Sequence, residues 1–309
     1  MLPTSFGGSP EWVTWCWRPS ERARTRVSLH GVTVPHKVAV VGAGTMGAGI
    51  ARIFADGGAE VRLTARRQEG LDAARERAGD AVHMTTDLDE ALAGADLVVE
   101  TIVEDVEPKR VVLARAEELA APKALLTTNT SSLEVDEVGR DLRKPERFAG
   151  LHFLNPPELV PVVEIVGGSR TAPATLETLR AWMEELGKAP VVVRLDVPGF
   201  VVNRLQYALL REAYALVDAG VCTFEDVDRA VTAGLGARWA AIGPFETMDL
   251  AGLDVHAAVA ANLWPELATT SRPSGSIAAA RERGHIRADF DAEKLKERRD
   301  RVLRLLREA

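Results

Sequence analysis
Cysteine is nearly absent. The chain has 309 residues and only Cys16 and Cys222, too few for a disulfide scaffold or a zinc site built on four thiolates. That usage fits a reducing compartment. Aromatic residues make up just 5% of the sequence, and positive charge is outweighed, with a formal net charge of −7. No global basic field therefore exists to hold nucleic acid or an anionic membrane. Long apolar runs are missing too: none reaches the ~18 residues that a bilayer span requires. The first 33 residues have neither the apolar core nor the basic start of a secretory signal. These shortages leave a cytoplasmic enzyme or binding protein as the expectation, with no metal site assigned.

What is present begins with an irregularity. Trp12, Trp15 and Trp17 are half of the six tryptophans, and Arg18, Arg22, Arg24 and Arg26 follow them. No helical or strand period runs through this leader. Residues 1–33 are expected to be disordered or to be translated upstream sequence, with Val32 or Val34 as the alternative initiator.

From Lys37 the pattern is regular. Short apolar runs at 37–41, 60–64, 82–85, 97–99, 124–128, 148–153, 162–166 and 191–194 read as buried strands. Helical patterns lie between them, at 45–57, 88–93, 107–119 and 173–186. Strands alternating with helices imply crossover connections and a mostly parallel sheet covered on both faces. After Pro198-Gly199 the pattern becomes helical throughout, with a long helix over 200–219. Thr223 and Asp226 form an N-terminal capping pair, Pro244 suits a first helical turn, and a charged amphipathic helix closes the chain over 292–309. The expected fold is α/β, a Rossmann-type mostly parallel sheet domain over 34–195, followed by an all-helical domain over 196–309.

The first strand runs into Gly42-Ala43-Gly44-Thr45-Met46-Gly47, which opens a helix. Glycines serve here for the tight turn, for close approach of backbone to a pyrophosphate, and for helix–strand packing. The N–H groups of the helix start, Thr45 and Met46 included, would face the phosphates. An acid at the tip of the second strand usually binds the adenosine ribose 2′-hydroxyl. The strand instead ends Leu63-Thr64-Ala65-Arg66-Arg67. Two guanidiniums suit a 2′-phosphate, so the cofactor is NAD or NADP, with NADP favoured.

Four further motifs follow in order: Asn129-Thr130-Ser131-Ser132-Leu133, Gly150-Leu151-His152-Phe153-Leu154-Asn155-Pro156, Val163-Glu164, and Pro198-Gly199-Phe200-Val201-Val202-Asn203-Arg204. Together they resemble the 3-hydroxyacyl-CoA dehydrogenase family from about residue 36 to 256. The resemblance implies hydride transfer between a nicotinamide and a 3-hydroxy group, and a place in fatty acid metabolism. It makes His152 the general base, since imidazole titrates near ~6.5, and makes Glu164 its orienting acid. Ser131 and Asn203 would hold the reacting oxygen in a cleft between the domains. One serine of the Ser131-Ser132 pair is expected to cap the next helix. Asn129, Glu104 and Lys109 match cofactor positions of the family, the last two beside the nicotinamide ribose; as residues at a helix start they also read as surface charges. A homodimer through the helical domain is implied.

Two departures bear on the substrate. Arg67 to Val82 has room for one helix, where fatty-acid members carry a long helical hairpin that helps bind CoA. The tail, with Gly234-Leu235-Gly236 and Gly243-Pro244-Phe245, looks more like the lambda-crystallin branch, which includes L-gulonate 3-dehydrogenase and has carnitine 3-dehydrogenase as a neighbour. The small-molecule substrate is thus an acyl thioester or a hydroxy acid. Alternatives are a dehydrogenase for carrier-bound hydroxyacyl groups and a non-catalytic, crystallin-like NAD(P)-binding protein.

Overall fold
Eight strands form one sheet in the order β3-β2-β1-β4-β5-β6-β7-β8. The computed structural model describes residues 34–287 and 290–308, so the expectations for the leader fall outside the described residues. In chain order the first elements are β1 (Lys37–Val41), α1 (Thr45–Asp56), β2 (Glu60–Thr64), α2 (Gln68–Ala78), β3 (His83–Thr85), α3 (Leu88–Leu92) and β4 (Leu97–Glu100). They continue as α4 (Val106–Leu119), β5 (Leu125–Thr128), α5 (Val135–Val138), β6 (Phe148–Phe153), β7 (Val162–Val166), α6 (Pro173–Glu185) and β8 (Ala189–Val193). Strands β1 to β6 are parallel. β7 pairs antiparallel with β6, and β8 follows β7 in parallel.

Alternation along each strand builds two cores. Val38 and Val40 join Ile50, Phe54, Leu63 and Met183 on one face; Ala39 and Val41 join Val98, Leu113, Leu126 and Phe148 on the other. A strand buried on both faces must be apolar throughout, which is why these segments read as continuous runs. The order reverses direction between β1 and β4. The carboxyl ends of those strands at such a reversal form the usual crevice for a dinucleotide.

The helix expected over 200–219 begins two residues later, as α7 (Val202–Asp218). Gly199 and Phe200 have φ of +79° and +51°, so a left-handed turn precedes the helix. Phe200 is a bulky residue in that region and is almost fully buried, so packing holds a conformation its side chain disfavours. The chain divides into compact units at Arg204/Leu205, inside α7 and beyond the boundary expected at 195. The first turn of α7 belongs with the sheet because its N–H groups are bonded there.

The second unit is helical throughout its described residues. Beyond α7 it contains α8 (Phe224–Arg229), a π-helical turn over Ala230–Leu235, α9 (Gly236–Trp239), α10 (Pro244–Ala251), α11 (Leu253–Leu263), α12 (Gly275–Arg283) and α13 (Ala292–Glu308). Thr223 and Asp226 make the reciprocal capping box, and Pro244 occupies the first turn of α10. No helix among the described residues is long and apolar enough to cross a membrane.

Candidate active site
The glycine loop joins β1 to α1. Gly42 has φ +115°, and a Cβ there would lie 2.5 Å from the Thr101 carbonyl oxygen. A Cβ on Gly47 would collide with the Gly42 carbonyl. These two glycines are explained by the turn and by helix–strand packing. Gly44 is different: a Cβ on it would meet nothing within 4 Å. The first turn of α1 has no side-chain cap and no acidic residue. An uncapped helix start beneath a glycine that the protein itself does not need suits a pyrophosphate held by the backbone at Gly44, Thr45, Met46 and Gly47. At the end of β2, Arg66 and Arg67 are exposed, and neither guanidinium has a hydrogen-bond or ion-pair partner among the described residues.

The central group is built on the one antiparallel pairing in the sheet. β6 and β7 place His152 directly opposite Glu164, on the same face. Nδ1 of His152 lies 2.8 Å from Glu164 Oε2, and both residues are buried. Glu164 Oε1 accepts hydrogen bonds from the Val201 and Val202 amides at 2.8 and 2.9 Å. The carboxylate therefore also caps the start of α7, where the helix dipole favours negative charge. Burial pushes its pKa up; the hydrogen bonds from His152, Val202 and Val201 outweigh this and hold it below the ordinary carboxylate range. An ionised Glu164 needs a donor at Nδ1, which leaves Nε2 to act as a base.

Nε2 of His152 lies 3.1 Å from Ser131 Oγ. Phe200 stands edge-on to the imidazole at a centroid distance of 5.5 Å. Asn203, on the first turn of α7, reaches the Ser131 carbonyl at 3.4 Å. The fold thus brings Ser131, His152, Glu164 and Asn203 together from four separate segments.

Three other residues singled out in the sequence have internal partners. Asn129 accepts from the Phe153 amide at 2.8 Å and reaches Thr101 Oγ1 at 3.3 Å, joining the ends of β5 and β6. Lys109 has no exposed surface and donates to both oxygens of Glu100, so it is not a surface charge. Glu104 lies between Lys109 and the Ser131 loop. Neither serine caps α5: its first amide, at Val135, is bonded to the Asp196 carboxylate, while the Ser132 hydroxyl donates to Glu104. Sequence reasoning missed Asp196 and Phe200 as contributors. Asp196 acts across 61 positions, and the only trace of Phe200's backbone role was its place after Pro198-Gly199.

The model of the 3-hydroxyacyl-CoA dehydrogenase NAD-binding domain matches residues 37–83 and 75–197, and that of the C-terminal domain matches 199–287. The chain belongs to the 3-hydroxyacyl-CoA dehydrogenase family. As such it is an oxidoreductase that uses a nicotinamide cofactor at a 3-hydroxy group. Relatives of this dehydrogenase include 5-formyl-3-hydroxy-2-methylpyridine 4-carboxylate 5-dehydrogenase of Mesorhizobium japonicum, 37% identical over 74% of this chain and 80% of that protein. The mitochondrial hydroxyacyl-coenzyme A dehydrogenase of Sus scrofa is 36% identical over 76% of this chain and 82% of its own. A crystal structure of a 5-formyl-3-hydroxy-2-methylpyridine 4-carboxylic acid 5-dehydrogenase, described as an NAD+-dependent dismutase, superposes with a TM-score of 0.82 at 32% identity. It covers 88% of this chain and 96% of that one.

Proposed function
We propose that His152 is the general base of this dehydrogenase, and that its substrate is a small 3-hydroxy acid rather than a CoA thioester. The Ser131–His152–Glu164 chain carries the first part of the reading. A bound NAD or NADP supplies the hydride acceptor. The substrate hydroxyl lies against Nε2 of His152 and Oγ of Ser131, and Nε2 takes the O–H proton as hydride leaves the carbon that bears this hydroxyl for the nicotinamide, forming the carbonyl. Glu164 holds the ring through Nδ1 and stabilises the imidazolium that forms, as a triad acid does. In the reductive direction Nε2 returns the proton. Asn203 donates to the Ser131 carbonyl.

The substrate reading rests on the β2–β3 connection. It contains the single helix α2, of 11 residues, and no hairpin that could hold a CoA moiety. The likeness to a pyridine-carboxylate dehydrogenase supports the same choice. Arg66 and Arg67, exposed and without a partner among the described residues, support NADP over NAD.

These readings are tested by following 340 nm absorbance with NADPH or NADH and acetoacetyl-CoA, 3-dehydro-L-gulonate or dehydrocarnitine. Turnover of a free acid and not of the thioester is expected. A preference for acetoacetyl-CoA would overturn the substrate reading. His152→Ala is expected to lower kcat by at least ~100-fold, the scale of general acid–base catalysis, with cofactor affinity kept. Arg66→Ala is expected to raise KM for NADP more than for NAD, and equal effects would remove the preference.

A further inference from the structure
Behind the Ser131 loop lies a chain of charged residues that the reaction as described does not use. It starts in the sheet at Glu100, the fully buried last residue of β4. Its carboxylate accepts from Thr128 Oγ1 at 2.6 Å, from the Ile102 amide at 2.7 Å and from Lys109 Nζ at 2.8 Å. Lys109, equally buried on α4, faces a second carboxylate, with Glu104 Oε2 3.5 Å away. The other oxygen of Glu104 faces the catalytic loop, and four donors converge on it: Thr130 Oγ1 at 2.6 Å, the Ser131 amide at 2.9 Å, and the Ser132 amide and hydroxyl, both at 3.1 Å.

The geometry points to Glu104 as a positioning residue that fixes Ser131 against His152, with the buried Glu100–Lys109 pair fixing Glu104 in turn. Ser131 is then held at three atoms. Glu104 takes its amide, Asn203 reaches its carbonyl, and its hydroxyl lies against Nε2 of His152. Ser131 is exposed and sits on a loop after β5, so neither packing nor a strand ladder sets its place. A carboxylate gathering several N–H and O–H groups is the strong form of hydrogen bond and can do so instead. Its charge is secured locally: burial raises the pKa of Glu104, while Thr130, the Ser131 amide and Lys109 together bring it below the ordinary range.

This inference rests on the assignment of His152 and Ser131 to the chemistry. It is tested by a double-mutant cycle. Glu104→Ala is expected to lower kcat about 10–100-fold, the cost of displacing a catalytic group by roughly an ångström. Glu104→Gln keeps an acceptor oxygen and is expected to recover most of the loss. In a Ser131→Ala background, Glu104→Ala should have no further effect on kcat, because its influence passes through Ser131.

Additive losses in the cycle would overturn the proposal, as would a loss of cofactor affinity at unchanged kcat. If Glu104→Ala fails to fold, Glu104→Asp, which keeps the charge but withdraws the oxygen from Ser131 by one methylene, takes its place in the cycle, and the same non-additivity with Ser131→Ala decides. His152→Ala, assayed alongside, separates the two readings. Full activity in that variant sinks the assignment of the base, whereas an inactive His152→Ala with a fully active Glu104→Ala sinks only the positioning role.

Discussion
Glu164 meets two demands with one carboxylate. One oxygen orients the base and the other receives the N–H groups at the start of α7. Its depressed pKa has a definite consequence for stability. A carboxylate with a folded pKa below its unfolded value of ~4.3 contributes stability above that value and loses it as pH falls through the folded one. The urea midpoint of the wild type should therefore drop on acidification below about pH 4. Glu164→Gln should be less stable at pH 7 by about 2 kcal/mol, the scale of a hydrogen bond to a charged group, and should show a flatter profile below pH 4. Urea titrations between pH 3 and 7 give the comparison, and parallel profiles would contradict the account. At this scale much was legible in the sequence. His152 and Glu164 are 12 positions apart across a turn, so a strand and its return suffice to pair them. Lys109, Asn129 and Asp196 were not legible, because their partners are set by where α4, β6 and the segment after β8 meet in space. A buried lysine reads as a surface charge until its acid is known.

Among the elements, the glycine loop separates two causes that a motif merges. Gly47 is required by packing and Gly44 is not. Gly47→Ala should lower both the melting temperature and cofactor affinity. Gly44→Ala should leave melting unchanged and weaken cofactor binding by about tenfold, the loss expected when a close backbone approach is blocked by ~1.4 kcal/mol. Calorimetry and fluorescence titration measure the two quantities, and a destabilised Gly44→Ala would contradict the distinction. The strand pattern was readable because both sheet faces are buried and the runs are apolar throughout. The exact start of α7 was not. Phe200 has a residue type that suits a helix, and only the left-handed turn at Gly199 and Phe200 excludes it.

For the whole molecule, the two units differ in how they are held. The sheet unit has a core on each face. In the helical unit only Ala260 and Ala280 are buried apolar residues among those described, while Phe245, Leu250, Leu253 and Trp264 are exposed. Such a surface needs cover, and a second copy is the cover expected. Light scattering at micromolar concentration should give the mass of a dimer, and the melting temperature should rise with protein concentration. A monomer with a concentration-independent melting temperature would exclude it. The sequence showed that these helices exist, through the Thr223 cap and Pro244; it could not separate residues facing a core from residues facing a partner, since both are apolar at helical spacing.

The antiparallel pairing of β6 with β7 also decides which changes of length the enzyme can absorb. The segment between the two strands, residues 154–161, can gain a residue at small entropic cost, since loop closure depends only weakly on length. The ladder cannot shift to accommodate it. A slip of one position would send Glu164 to the opposite face of the sheet from His152, and with it the anchor for the amides of Val201 and Val202. Insertions there are neutral or ruinous according to whether the ladder keeps its register, so a scan of single-residue insertions should divide into two classes with few intermediates.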